Sequence, residues 1–176
     1  MTFLRKNPCR VGLLIVFGGI LLLMQPSAAR AQTGTFTAAG KIVGILAETK
    51  MLPGDKQGHE VTMVRRMDSI TYSDPLFGSG QAIVLSVSDY VTGSGPHHGY
   101  FSIRHPSGDS TFTSYEGAGK AVPKPGGPPD VTFEGKWQFT GGTGQFEGIT
   151  GGGTYKGGVT TGGPTYQFEG QYTLKR

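Results

Sequence analysis

The sequence predicts an all-β protein, an eight-stranded antiparallel up-and-down barrel, and three observations carry that prediction. Residues 131–140 alternate strictly, with Val131, Phe133, Gly135, Trp137 and Phe139 on one face and Thr132, Glu134, Lys136, Gln138 and Thr140 on the other. Residues 165–174 repeat the pattern, with Tyr166, Phe168, Gly170, Tyr172 and Leu174 sharing a face. That is the pattern of strands with one dry and one wet side. Turn signals recur at fairly regular spacing: Pro53-Gly54-Asp55, Ser73-Asp74-Pro75, Pro106-Ser107-Gly108-Asp109 and Gly162-Gly163-Pro164. No stretch after residue 31 sustains a 3.6-residue period. Short strands at this spacing make a barrel or sandwich, and a meander that closes on itself has no free sheet edges. Eight strands enclose room for side chains or one small ligand.

The strands follow in order. Residues 32–34 read as a frayed tail. Residues 35–47 form the first strand, apolar on both faces at Ile42-Val43 and Ile45-Leu46. Residues 60–72 form the second, with Val61, Met63 and Met67 on one phase and Val64 and Ile70 on the other. The third, 81–91, puts Ile83, Leu85 and Val87 on one face and Ala82, Val84, Ser86 and Ser88 opposite. Residues 99–105 carry Phe101 and Ile103 in phase, and 110–117 follow. Residues 118–129 are rich in Pro and Gly and predict a long surface loop or flap. Strands at 131–140, 146–157 and 165–174 complete the set. A short repeat runs through them: Tyr115-Glu116-Gly117, Phe133-Glu134-Gly135, Phe146-Glu147-Gly148 and Phe168-Glu169-Gly170. Aromatic and glycine, two apart, face inward together, so a neighbouring ring can lie over the glycine.

The first 31 residues read as a signal peptide. Arg5, Lys6 and Arg10 precede an apolar run, and Ala29-Arg30-Ala31 fits a small-x-small cleavage site. The apolar run is short for a transmembrane anchor. The expectation is an exported protein, periplasmic or extracellular, whose single domain spans 32–176. The segment holds four of the 16 Lys and Arg residues and no acid, so 12 basic residues remain against 12 acidic ones. A balanced chain gives no electrostatic reason to expect nucleic acid or an anionic membrane as partner. Cys9 leaves with the signal, which excludes a cysteine nucleophile, a disulfide or a thiolate metal site.

At Gly142-Thr143-Gly144-Gln145-Phe146-Glu147-Gly148-Ile149-Thr150-Gly151 the chain resembles the allene oxide cyclase-like and dirigent-like barrels. These carry a GTG-x-F-x-G-x-x-G hairpin in the second half of an eight-stranded barrel, and a group of bacterial secreted proteins shares it. The match covers about the last 45 residues well; the earlier strands match in spacing and alternation only. The resemblance implies an apolar interior and, often, a trimer. The cyclases set asparagines and a glutamate around an ordered water, but Asn7 is the only asparagine here, so that set has no counterpart. Dirigent proteins orient phenolic radicals with pocket acids; Asp89 is the one acid that qualifies by phase.

Three ionisable residues are candidate catalytic groups, because they continue apolar phases: Asp89 after Val87, His105 after Ile103, and Arg65 between Met63 and Met67. A buried carboxyl has a raised pKa and histidine titrates near neutrality, as acid–base chemistry requires. The alternative places Asp89 and His105 at wet strand ends and pairs Arg65 with an acid. Trp137, Phe139, Tyr155, Phe168 and Tyr172 are the candidate ligand-contacting residues, or else they fill the lumen. His97-His98 follows Gly95-Pro96 and reads as a loop pair; with no third ligand at metal spacing, no metal is expected. Gly141-Gly142-Thr143-Gly144 lacks the Lys-Ser/Thr of a phosphate loop, and no cofactor is expected. The leading reading is a non-catalytic barrel that binds a small apolar ligand or serves as an assembly module. A cyclase-, isomerase- or dirigent-type enzyme is the alternative. An apolar strip stays outside whichever phase is internal, which predicts a homo-oligomer, with a trimer favoured and Val43, Val64 and Val84 near the contact. The 118–129 loop lying over that strip is the alternative.

Overall fold

The computed structural model describes residues 31–127, 129–160 and 163–175. The predicted signal segment up to residue 30 lies outside the described residues. The fold is a closed barrel of eight antiparallel strands in sequence order: β1 (Gln32–Met51), β2 (His59–Tyr72), β3 (Ser79–Val91), β4 (Gly95–Arg104), β5 (Ser110–Val122), β6 (Asp130–Gly142), β7 (Thr150–Thr160) and β8 (Gly163–Leu174). β1 closes the barrel on β8 from Gln32↔Leu174 to Lys41↔Thr165, so residues 32–34 are paired strand and not a tail.

Several expected boundaries shift. β5 continues to Val122, which leaves a shorter loop at 123–129. β4 begins at Gly95, so His97 and His98 are strand residues pointing to opposite sides. Phe146 belongs to a single 3-10 turn, Gly144–Phe146, ahead of β7.

The wall itself alternates as expected for β6 and β8, whose Trp137, Phe168 and Tyr172 are buried. It is inverted for β2 and β3. Thr62, Asp68 and Ile70 of β2 and Ala82 and Val84 of β3 are buried, while Met63 and Leu85 are 57% and 48% exposed. The Val61-Met63-Met67 and Ile83-Leu85-Val87 faces are therefore outside. Inward glycines let the wall approach the rings it carries. A Cβ on Gly170 would enter the Trp137 ring, one on Gly157 the Phe133 ring, and one on Gly117 or Gly135 a strand carbonyl and the Tyr155 hydroxyl. Gly148 departs from the repeat: it has nothing within 4 Å of its Cβ position and sits at φ +72, so it is required by the turn and not by a ring.

The barrel has two unlike ends. At one, the loops between β2 and β3, β4 and β5, and β6 and β7 fold inward. Phe77 and Phe146, both fully buried, stack at 5.3 Å, with Phe36 at 5.0 Å from Phe77. The hairpin that carried the family resemblance closes this end. Ser110 N–H donates to Thr143 Oγ1 at 2.9 Å and Gln145 N–H donates to Asp109 at 3.2 Å. Gly144, at φ +54, leaves no room for a Cβ against the Asp109 carboxylate. The other end is open. There β1 outruns β8: beyond Lys41 it pairs only with β2 among the described residues, with register shifts between Ile42 and Gly44 and between Ile45 and Ala47.

Candidate functional site

A cavity of about 200 Å³ occupies the lumen at the open end. Its walls are Phe101, Phe133, Phe168, Tyr115, Tyr155 and Tyr166, its rim is Ile42, Val131, Val159 and Pro164, and its polar groups are Arg66, Ser86, Ser88, Tyr90 and His97. Wider grooves of about 1080 and 830 Å³ cross the outer face of the wall and are lined largely by Thr, Lys, Glu and Gln side chains. Those are open to solvent, whereas the lumen cavity has aromatic walls and convergent polar groups, the combination typical of ligand sites.

The charged floor comes from β2. Asp68 is 0% exposed and accepts from Arg66 Nε at 3.1 and 3.2 Å; Tyr166 Oη donates to its second oxygen at 2.6 Å. Burial raises the Asp68 pKa, and Arg66 and the Tyr166 hydroxyl only partly oppose it. Burial likewise opposes the charge on Arg66, but Asp68, together with Tyr115 and Tyr166, raises the pKa on balance. Removing either member would strand a buried charge.

The second polar group is a chain through His97. Tyr90 Oη lies 2.9 Å from Nδ1 and Tyr155 Oη 2.6 Å from Nε2. Burial, helped by Arg66 and His98, lowers the His97 pKa. A neutral ring has one donor and one acceptor, so one tyrosine donates to His97 and the other accepts from it. Burial also raises the Tyr155 pKa, so its phenol stays protonated.

Tyr115 is different. Its hydroxyl is buried with no hydrogen bond of normal geometry. Burial raises its pKa, with Arg66 and Ser86 close enough to oppose that rise. Arg66 commits its Nε to Asp68, and its Nη nitrogens have no such bond among the described residues. The Tyr115 hydroxyl is sealed against the β4 wall, where a Cβ added at Gly99 would lie 2.6 Å from it.

The predicted site residues divide. Tyr155 and Phe168 line the cavity, whereas Trp137, Phe139 and Tyr172 pack toward the closed end with Phe36 and Phe77. Trp137 Nε1–H lies 3.2 Å from both the Thr154 and Glu169 carbonyls. His105 is buried as expected by phase, but in the closed end: Nδ1–H donates to the Phe77 carbonyl at 3.0 Å, so Nε2 accepts from Thr111 at 2.9 Å. Arg65 and Asp89 point outward, because the inner phases of β2 and β3 are the opposite ones. Asp89, 55% exposed, accepts from His59 at 2.7 Å, and Asp55 holds the other ring nitrogen. No group of three or more metal-ligating side chains occurs among the described residues. Arg66, Asp68, His97, Tyr90, Tyr115 and Tyr166 were missed. The signal for two of them was Ile70, which shares its phase with Arg66 and Asp68.

No protein-family model and no curated protein matches this chain. Among solved structures it is similar to a pterocarpan synthase dirigent protein, at 12% identity and a TM-score of 0.46, over 88% of this chain and 94% of that one.

Proposed function

We propose that this protein is a non-catalytic binding barrel that takes one small, largely apolar molecule into the open-end cavity. One observation carries the reading: the interior is filled with stacked rings at one end and left open, with aromatic walls and convergent polar groups, at the other. Eight strands can fill their own lumen, so the unfilled half supports binding. The dirigent-like resemblance of the 142–151 hairpin fits this reading. Native mass spectrometry of protein isolated from its natural source tests it, alongside a Ser86→Phe variant that fills the cavity. A bound small molecule lost on filling supports it; the same adduct on the filled variant rejects this location.

A second reading is catalysis of the cyclase, isomerase or dirigent type on a hydrophobic substrate in the same cavity. It is favoured by a carboxyl with raised pKa, Asp68, bonded to cavity-lining Arg66 and Tyr166, and by a histidine with lowered pKa, His97, in the same lining. A substrate that turns over, and stops doing so in His97→Gln, would replace the first reading.

We also propose export after removal of residues 1–31 and self-association through the outer face of β1 to β4, as a trimer. Val43, Met63, Leu85 and Tyr100 are exposed there, and exposed apolar surface of this kind marks contacts. Val84 is 0% exposed and Val64 belongs to the inner phase, so neither lies at that contact. The 123–129 loop joins β5 to β6, across the barrel from β2. Sedimentation equilibrium at micromolar concentration should give a multiple of the chain mass, and Leu85→Lys should reduce it to the monomer.

A further inference from the structure

We infer that the tip of the β1–β2 hairpin pairs with the same tip of a second copy of this chain, strand edge to strand edge, about a twofold axis through Thr49. This contact is separate from the outer face proposed above and does not depend on it. Past Lys41, the edge of β1 that meets β8 has no partner strand among the described residues. The two register shifts lie between Ile42 and Ala47, and from Ala47↔Arg65 to Met51↔Val61 the ladder with β2 is regular. Residues 45–58 are all exposed. A regular, exposed, unpaired edge is a template for another strand.

The sequence of the tip selects the occupant. Residues 46–52 read Leu46-Ala47-Glu48-Thr49-Lys50-Met51-Leu52. Laid antiparallel against itself about Thr49, this stretch sets Glu48 against Lys50 twice and Ala47 against Met51 twice, with Leu46 and Leu52 together at the ends. Opposite charges directly across a strand pair are favourable and like charges are not. An axis through Glu48 would oppose two glutamates, and one through Lys50 two lysines. Within one chain Lys50 already lies 3.3 Å from Glu48 and 3.2 Å from Glu60. These charges are exposed and add little affinity; they set the register. The ladder is short by construction. Pro53 has no N–H to extend it, and the bulge before Ala47 interrupts it at the other end. A twofold contact uses each edge once, so it closes on two chains and does not propagate. Five residues a side, Ala47 to Met51, fall far short of the roughly 20–30 of a stable interface. The pair is therefore transient, consistent with Leu85→Lys sedimenting as a monomer at micromolar concentration.

Disulfide trapping tests the assignment, in the mature chain without Cys9 and carrying Leu85→Lys to remove the face contact. Directly opposed residues of an antiparallel pair have Cα atoms about 4.5–5.5 Å apart, within reach of a disulfide. Two copies of residue 48, or of residue 50, lie diagonally at about 7–8 Å, at or beyond that reach. Under mild oxidation Thr49→Cys should therefore link to itself about tenfold faster than Glu48→Cys or Lys50→Cys does alone. A mixture of Glu48→Cys and Lys50→Cys should link as fast as Thr49→Cys. All three sites are exposed, so the substitutions leave the barrel folded. Equal rates for the three single variants would mean random collision and overturn the pairing. Absence of a Thr49→Cys link would also overturn it, and leave the edge to a strand of another protein. The rate comparison reads the axis whatever mass Leu85→Lys shows, so failure of the outer-face reading stays distinguishable from failure of this one.

Discussion

The two ends of this barrel are built from the same alternating strands, yet one is a plug and the other a pocket. Their connections differ. At the closed end the loops deliver apolar side chains inward: Phe77 from the β2–β3 connection and Phe146 from the 3-10 turn before β7, each with zero exposure. The polar groups there also have partners, as His105 shows with Phe77 and Thr111. Among the described residues, the connections at the open end bring no ring inward. The strands must line the lumen alone, and they do so with Arg66, Asp68, His97 and four tyrosines. A barrel of this size leaves a cavity where its loops decline to fill it.

Truncating the plug should give the largest effect. Phe77→Ala or Trp137→Ala should cost about 3–5 kcal/mol by urea unfolding, the usual range for a buried large ring. Phe133→Ala, in the cavity wall and only partly buried, should cost less than half as much. Equal losses would erase the distinction between the ends.

The glycines sharpen the contrast next. Gly170→Val must displace the Trp137 ring and the Gly152 carbonyl and should destabilise most. Gly148→Val meets no atom but keeps φ +72, which costs about 1–2 kcal/mol. Gly127, with open space around it, should accept Val within about 0.5 kcal/mol. Thermal melts of the three variants in parallel would expose a wrong order.

Hydroxyl deletions at the open end should move stability in opposite directions. Tyr115→Phe removes a buried, unsatisfied group and should raise the unliganded protein's stability by about 1 kcal/mol. Tyr166→Phe takes a hydrogen bond from buried Asp68 and should lower it by about 1–3 kcal/mol. A loss in Tyr115→Phe would mean its hydroxyl already has a partner.

The smallest effect is the pH dependence, and it also splits by location. His97 and His105 have pKa values lowered chiefly by burial. Their contribution is complete above 6.5, the ordinary histidine value, and falls with pH below it as the unfolded chain takes up protons the native rings refuse. His59, at the outer rim, has its pKa raised by Asp55 first and then Asp89. Its contribution is complete below 6.5 and fades as pH rises through the native value. Unfolding midpoints across pH 4–9 for the parent and for His59→Gln should separate the two slopes; an unchanged alkaline limb in His59→Gln would remove the outer latch from the account.

Most of the barrel was legible because β6 and β8 obey the ordinary rule of apolar inside, and because glycine and aromatic fall on one phase in Phe133-Glu134-Gly135 and Phe168-Glu169-Gly170. The site was illegible for the complementary reason. The inner phase of β2 reads Thr62, Val64, Arg66, Asp68, and that of β3 includes Ser86 and Ser88, while the outer phases carry Met63, Met67, Ile83 and Leu85. Around a polar cavity facing an apolar exterior strip, amphipathicity runs backward. Choosing the more apolar phase therefore turned Arg65 and Asp89 inward and hid Arg66 and Asp68. The segments where pattern reasoning failed are the ones that build the pocket.

The two irregularities in β1 bear on how copies of this chain avoid polymerising. From Ile42 to Glu48 the strand spends six steps against four in β2, from Asp68 to Val64, and its other edge is unpaired there among the described residues. A straight, apolar, unpaired edge would template a second chain by main-chain pairing. The bulges break the ladder that such templating needs. They also act as two compensating frameshifts, each reversing the in–out order of the side chains and together restoring it by Glu48. Losing one extra residue would straighten half of that edge and reverse every side chain beyond it, so the two bulges can be lost without penalty to register only as a pair.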